Sequence, residues 1–415
     1  MPSTTAAPGR PGGSQEALRR HNLGRLLRRL HVQGAMSRAD LTLGSGLNRS
    51  TVKALTADLV SAGLVREAAP VGRGGAGRPS IVVQPGSADV HVIALDIGVQ
   101  HVTAVRIGLG GVVLDRRDLR QSQDQYAVPR TVDRLDGLVR ALLDGAPASS
   151  RCLGVGVGVC GVVDVAQGLV RIAPNLGWVD VPLRDLLAER LIGSAAAGLP
   201  VQVGNEGDLG ALAEHLRGAG RGVDDLVYVS GEVGVGGGII VGGRPLRGVG
   251  GYAGEIGHMS VDVGGKRCRC GRRGCWETEI SGEAVLSATG APDGMMLEDV
   301  LAAHAAGERW TRAGMRRVGR FLGAGVVNVV NLFNPEVVVF GGQVRHVFTA
   351  TEPEVREAMR TALPAPADQV RLAVAELGDD SVAVGAAELG FARLLDEPLG
   401  TLADLSAPSR AGARA

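Results

Sequence analysis

The sequence predicts an α/β body behind a small helical module, and three observations predict it. Beyond residue 90, short Val/Ile runs, glycine turns and helix-period segments alternate, the texture of layered sheets and helices. Before residue 90 the pattern is closely spaced short helices followed by a glycine-rich hairpin. At 415 residues the chain is too long for one core, so two or three domains are expected.

Composition narrows the class. A chain 45% apolar and 21% charged reads as soluble and globular. Its apolar runs, such as Val337–Phe340, are far too short to span a bilayer, and the N-terminus lacks the apolar core of a signal peptide. A cytoplasmic protein is expected. The net charge of +1 hides an asymmetry: residues 1–80 hold twelve Lys and Arg against four Asp and Glu, and the remainder is net acidic. A basic module on an acidic body suggests that only the first part meets a polyanion.

Residues 1–15, rich in Pro, Gly, Ser and Thr, are expected to be disordered. Leu18 to Val32 is amphipathic, with Leu23, Leu26, Leu27 and Leu30 at helical spacing. Ser37 and Asp40 start a short helix as a capping pair, and Gly44-Ser45-Gly46 breaks it. Asn48 caps the next helix, where Val52, Leu55, Leu59 and Val60 form an inward stripe. Arg49, Ser50, Thr51, Lys53 and Thr56 are left outside, and Gly63 ends the helix. Extended segments near Leu64–Glu67 and Ile81–Val83 flank a glycine-rich loop carrying Arg73 and Arg78. Together these read as a winged helix-turn-helix over residues 16–88. Asn48, Arg49, Ser50, Thr51 and Lys53 would meet bases or phosphates of double-stranded DNA, and Arg73 and Arg78 would enter a minor groove or grip the backbone. The competing reading is a helical protein-interaction module with a solvated basic face.

The body is expected over residues 89–395, in lobes of about 89–200 and 201–395, with a flexible tail at 396–415. Strands are predicted at His91–Gly98, Val102–Gly108, Gly111–Arg117, Leu153–Val163, Leu226–Val229, Gly238–Val241 and Val337–Phe340, and helices at Thr131–Leu143 and Thr311–Leu332. Cys152 and Cys160 read as inert core thiols. The other three of the five cysteines, Cys268, Cys270 and Cys275, fall within eight positions, with His258 ten positions upstream. Three thiolates and an imidazole fill a closed tetrahedral shell, which suits structural Zn2+. The lack of a disulfide framework fits a reducing compartment.

Five stretches carry a resemblance: Gly161-Val-Val-Asp164, Ala173-Pro-Asn-Leu-Gly-Trp178, Gly254-Glu-Ile-Gly-His258, the cysteine cluster with Glu277, and Asn334-Pro335 leading to Gly341-Gly342. Over roughly residues 91–390 the chain resembles the ROK family of repressors, open reading frames and sugar kinases. The resemblance implies a duplicated actin-like, ribonuclease-H-like ATPase fold with a zinc-stabilised insertion. It also implies a sugar pocket lined by Gly161, Asn175, Asn205, Glu206, Glu255, His258 and Glu277, whose carboxylates and amides suit paired hydroxyls. The second ring nitrogen of His258 would face the ligand or a further acceptor.

The nucleotide side departs from the family's kinases. Their first phosphate loop reads Asp-x-Gly-Gly-Thr; here Asp96-Ile-Gly-Val99-Gln100-His101 loses a glycine and a hydroxyl. In the second loop, Val233 stands where the kinases carry threonine, and Glu232 adds negative charge where phosphates would sit. Glu206 replaces the aspartate base on a longer stem, and a displacement of about 1 Å can cost on the order of a hundredfold in rate. The expectation is a sugar-responsive regulator, repressing genes of carbohydrate metabolism, without catalytic residues. It would act as a homodimer or homotetramer on operator DNA, under a sugar or sugar-derivative effector, in the cytoplasm and at the nucleoid, away from membranes. Its rivals are an active ATP-dependent sugar kinase with an added DNA-binding arm, and a DNA-binding protein whose body is only a dimerisation scaffold.

Overall fold

The computed structural model describes residues 12–69, 81–363 and 368–406. The N-terminal part begins with α1 (Gly12–Gln33), β1 (Met36–Ser37), α2 (Arg38–Ser45) and α3 (Arg49–Ser61). β2 (Val65–Ala68) and β3 (Val82–Pro85) follow, and the sheet order is β1-β3-β2, antiparallel throughout. Side-chain caps set both short helices. Ser37 accepts the Asp40 amide, and Asn48 accepts the Thr51 amide. The two-residue β1 carries no sequence pattern and exists only through its pairing with β3.

Three local expectations change here. Helix α1 reaches back to Gly12, into the stretch expected to be disordered. Its Leu23–Leu30 stripe is buried, and a helix once nucleated extends at low cost. Thr56 is buried rather than outward, because its hydroxyl donates to the Val52 carbonyl and leaves no polar group unsatisfied. Val60 is 39% exposed, at the edge of the stripe expected to hold it inside. The glycine-rich loop with Arg73 and Arg78 lies outside the described residues.

Two five-stranded sheets build the body. The first contains β4 (Val90–Ile97), β5 (His101–Gly108), β6 (Val112–Arg120), β7 (Arg151–Val159) and, after α4 (Val128–Asp144), β8 (Val162–Asp164), β9 (Leu169–Ala173), β10 (Trp178–Val181) and α5 (Leu183–Arg190), the strand β11 (Val201–Asn205). Its order is β11-β7-β4-β5-β6, with β8, β9 and β10 forming a separate antiparallel sheet. After α6 (Glu206–Arg217), the second sheet contains β12 (Leu226–Ser230), β13 (Gly236–Val241) and β14 (Arg244–Pro245). Helices α7 (Glu277–Ile280), α8 (Gly282–Thr289), α9 (Leu297–Ala305) and α10 (Arg309–Phe333) precede β15 (Val337–Phe340), α11 (Val344–Met359) and β16 (Arg371–Val374). The order β14-β13-β12-β15-β16 repeats the first plan: a three-strand antiparallel meander, then two parallel strands on its first member. This repetition is the duplicated, actin-like architecture.

Pairing corrects the expected lobe boundary at residue 200. Val201 pairs in parallel with Val155, so β11 closes the first sheet instead of opening the second. The predicted strand Leu153–Val163 is two strands, because Gly161 takes φ +103 and a Cβ there would collide with Ala173. Near the C-terminus the helix Ser381–Asp396 returns to pack on β7, β4 and α6. A further helix, Pro398–Ser406, lies where a flexible tail was expected, with Leu402 and Thr401 buried. The hydrophobic core is continuous across the head–body boundary: Leu26, Leu55 and Leu59 pack in one cluster with Val92, Leu209 and Phe391. No helix among the described residues is long and apolar enough to cross a membrane.

Candidate functional site

The carboxyl ends of the strands face a cavity of about 370 Å³ between the two sheets, where open α/β sheets hold ligands. Gly161, Asn175, Asn205, Glu206, Glu255, His258 and Glu277 all line it, although they come from five separate segments. The structure separates their roles. Asn205 caps α6, its Oδ1 accepting the Gly207 and Asp208 amides at 2.8 and 3.0 Å, while its Nδ2 donates to the Gly161 carbonyl at 2.7 Å. Most of its hydrogen-bonding capacity is therefore used in fixing the cavity wall. Asn175 accepts from Arg269 Nη1 at 3.0 Å, a partner the sequence reading did not assign.

Glu206 opens α6 and points no charge at a cation. Burial first, then the neighbouring Asp96 and Glu232, push its carboxyl up to about 8, so at neutral pH it is protonated and can donate a hydrogen bond. Burial likewise raises Glu255. Cys160, buried on the cavity wall, is pushed well above the ordinary thiol range by burial and stays an unreactive thiol; burial also raises Cys152, to about 11.

His258, Cys268, Cys270 and Cys275 bring one donor atom each to within 4.8 Å of the others. Cys270 Sγ lies 3.6 Å from Cys275 Sγ, and Cys268 Sγ lies 3.7 Å from His258 Nδ1. A tetrahedron with metal–sulfur bonds of about 2.3 Å has edges of about 3.8 Å, so the donor set fits a metal of zinc's size and softness. Nδ1 of His258 faces the thiols, and Nε2 lies 3.8 Å from Glu255 Oε2. Glu277 sits on the other side, 2.9 Å from Cys268 Sγ. The cluster thus braces two of the cavity's carboxylates.

The phosphate side is filled from within. Its two loops are the first hairpin turns of the two sheets, β4–β5 and β12–β13. Glu232 crosses from the second to the first, and its Oε2 accepts the backbone amides of Val99 at 3.0 Å and Gln100 at 3.4 Å. Its Oε1 lies 3.4 Å from His101 Nδ1, and His101 Nε2 lies 3.2 Å from Asp96 Oδ2. The hydrogen bond to Asp96, then that to Glu232, push His101 up to about 10, so it is an imidazolium between two carboxylates. Burial opposes ionisation of Glu232, but His101 and the two amides hold it below the usual range. An internal carboxylate therefore occupies amides that the resemblance assigns to a phosphate. His101 and Asp96 complete this network, and nothing in their local pattern marks them beyond their place in a loop.

On the head, Arg49, Ser50 and Lys53 are exposed on the first turns of α3, and no ion pair among the described residues engages Arg49 or Lys53. Asn48 caps α3 as expected: its Oδ1 accepts the Thr51 amide at 2.8 Å and the Ser50 hydroxyl at 2.7 Å. Thr51 is half-buried.

Comparison with known proteins follows this geometry. A putative xylose repressor of Caldicellulosiruptor sp. is 30% identical over 404 residues, covering 93% of this chain and 99% of that protein. A glucokinase of Streptomyces coelicolor is 29% identical over 321 residues, covering 72% of this chain and 98% of that protein. Among solved structures, a ROK family transcriptional regulator, a homolog of the E. coli MLC protein, superposes with TM-score 0.77 at 27% identity. It covers 94% of this chain and 100% of its own. A ROK family glucokinase from Streptomyces griseus, in complex with glucose and AMPPNP, superposes with TM-score 0.63 at 30% identity and covers 72% of this chain. The ROK family profile matches residues 92–392, and with it the chain belongs to the ROK family.

Proposed function

We propose that this protein is a sugar-responsive, DNA-binding repressor whose ROK body senses a sugar without phosphorylating it. One observation carries this reading. The repressor relative matches 93% of the chain and the glucokinase 72%, a difference of about the length of the basic head. The head is a winged helix-turn-helix in this proposal, with α3 in the major groove. Arg49, Ser50 and Lys53 are its base and phosphate contacts, Thr51 supports them, and Arg73 and Arg78 reach from the wing. Asn48 holds the start of that helix.

Glu232 supports loss of phosphoryl transfer. Its carboxylate would repel nucleotide phosphates and already engages the amides of Val99 and Gln100. Val233 lacks the hydroxyl of the kinases, and a neutral Glu206 at pH 7 is a poor base. In the pocket, Glu206, Glu255, Glu277, Asn175 and the Nε2 of His258 supply donors and acceptors for vicinal hydroxyls. His258, Cys268, Cys270 and Cys275 would hold structural zinc, which contributes folding energy and fixes this wall. A homodimer or homotetramer in the cytoplasm suits paired half-sites on DNA.

The test measures binding to DNA from upstream of the protein's own gene by fluorescence anisotropy, with D-xylose, D-glucose and their phosphates. We expect one sugar to weaken DNA binding by roughly 5–150-fold, and DNA to weaken that sugar's binding by the same factor. Arg49→Ala should weaken DNA binding without changing sugar affinity. Binding of DNA with no response to any sugar supports a body that only dimerises, and turnover of ATP with a hexose supports the kinase.

A further inference from the structure

Helix α6 has one end at the cavity and the other at the head. Its first residue, Glu206, lines the cavity, and its cap, Asn205, is tied to Gly161. Its last residue, Arg217, lies about 18 Å away along twelve helical residues. There Arg217 Nε donates to Glu388 Oε1 at 2.6 Å, and Nη1 donates to the Gly110 carbonyl at 3.1 Å. Glu388, on the Ser381–Asp396 helix, also receives His31 of α1, whose Nε2 lies 3.0 Å from both carboxylate oxygens. The Gly110 amide donates to His31 Nδ1 at 2.9 Å, so that nitrogen carries no proton and Nε2 does. Glu388 is thus shared between Arg217 of α6 and His31 of α1.

This junction is buried and tightly built. His31 is fully buried and Glu388 nearly so. Burial alone would raise the Glu388 carboxyl, but its partners His31 and Arg217 hold it below the usual carboxylate range. One turn before Arg217, the buried Glu214 accepts the Ala219, Glu376 and Leu377 amides and the Ser381 hydroxyl. These bonds clamp the end of α6 to the start of the Ser381–Asp396 helix. Gly385 lets the two helices touch, since a Cβ there would overlap the Leu209 carbonyl. The two helices are therefore tightly joined, and α1 is docked on them through His31 and through His31–Phe391 ring contact at 4.9 Å. Among the described residues one donor is left over here: Arg217 Nη2 is buried with no hydrogen-bond partner. A buried, unsatisfied guanidinium donor favours a second arrangement in which it is engaged.

We propose that α6 transmits occupancy of the cavity to the head, and that Arg217–Glu388–His31 is the contact that switches. The proposal rests on the sugar-responsive repressor reading. It differs from a flexible tether because each link is a packed helix or a buried polar contact, which has discrete alternative states.

The experiment combines hydrogen exchange of the full-length protein with DNA binding, using whichever of D-xylose and D-glucose binds. In the wild type, the sugar should alter amide exchange in α6 and also in α1 and α3. A response confined to α6 overturns the proposal without recourse to any variant. The variants are Glu388→Gln, which keeps the shape, and the double change Arg217→Met with Glu388→Met, which replaces a buried pair by apolar groups of similar volume. Sugar affinity should stay within about threefold, and the sugar's effect on DNA affinity should fall from roughly fivefold or more to below about twofold. An undiminished effect in either folded variant sinks the proposal. Failure of both sugars to bind the wild type, or to change its DNA affinity, sinks the repressor reading instead.

Discussion

Single residues in this protein act through what they displace. Glu232 holds the backbone amides of Val99 and Gln100, and His101 pairs with it. The folded pKa of His101, about 10, lies above its unfolded value near 6.5. Its contribution to stability is therefore fully present below about pH 6.5 and is lost as pH rises through about 10. The side chain is 40% exposed, so solvent screens the amplitude. Chemical denaturation of wild type and His101→Asn from pH 6 to pH 10.5 should show the stability difference shrinking across that window; a pH-independent difference would remove His101 from the latch. Cys270→Ser tests the metal. The variant should retain little zinc by elemental analysis and lose stability, at roughly 2–4 °C of Tm per kcal/mol. A full metal complement would exclude Cys270 as a ligand. At this scale the sequence was legible where a side chain's chemistry is rare and its spacing short. The cysteines, His258 and Glu232 were readable for that reason. It was not legible for Asn205, because an amide that caps a helix and an amide that binds a ligand look the same in a sequence.

Elements were predicted well where burial is one-sided or complete. Val337–Phe340, fully buried in a parallel sheet, is found at its predicted residues. Long amphipathic α10 is found within a few residues. The failures have a common cause. β1, the break at Gly161, and the placement of β11 in the first sheet depend on pairing partners far away in the chain. The most consequential element, α6, carries no motif of its own beyond its cap. Its importance comes from contact with the Ser381–Asp396 helix, which makes Gly385 a sensitive position. Gly385→Ala should cost about 1–3 kcal/mol or more through overpacking against the Leu209 backbone, read as a lowered denaturant midpoint. An unchanged midpoint would mean that the two helices can separate freely.

For the whole molecule, head and body share a core. Leu26 and Leu55 of the head pack in the same cluster as Val92 and Phe391 of the body, so the head is not an appendage on a linker. Unfolding followed by signals from both parts should show coincident transitions, and removing residues 1–88 should destabilise the body by exposing this apolar surface. Two well-separated transitions would refute the shared core. The sequence by itself determined the chemistry: a basic helical head, a ROK body, a four-residue set that could hold a metal, and two loops that differ from the kinase pattern at Val99, Gln100 and Val233. These are local patterns of residue type and spacing, which survive without coordinates. Only the tertiary structure decided that Glu232 reaches Val99 and Gln100 across the cleft. It also decided that Glu388 joins His31 and Arg217, which lie 357 and 171 positions from it. Such contacts arise because burial forces distant charged groups to find partners, and no local pattern records which partner each one finds.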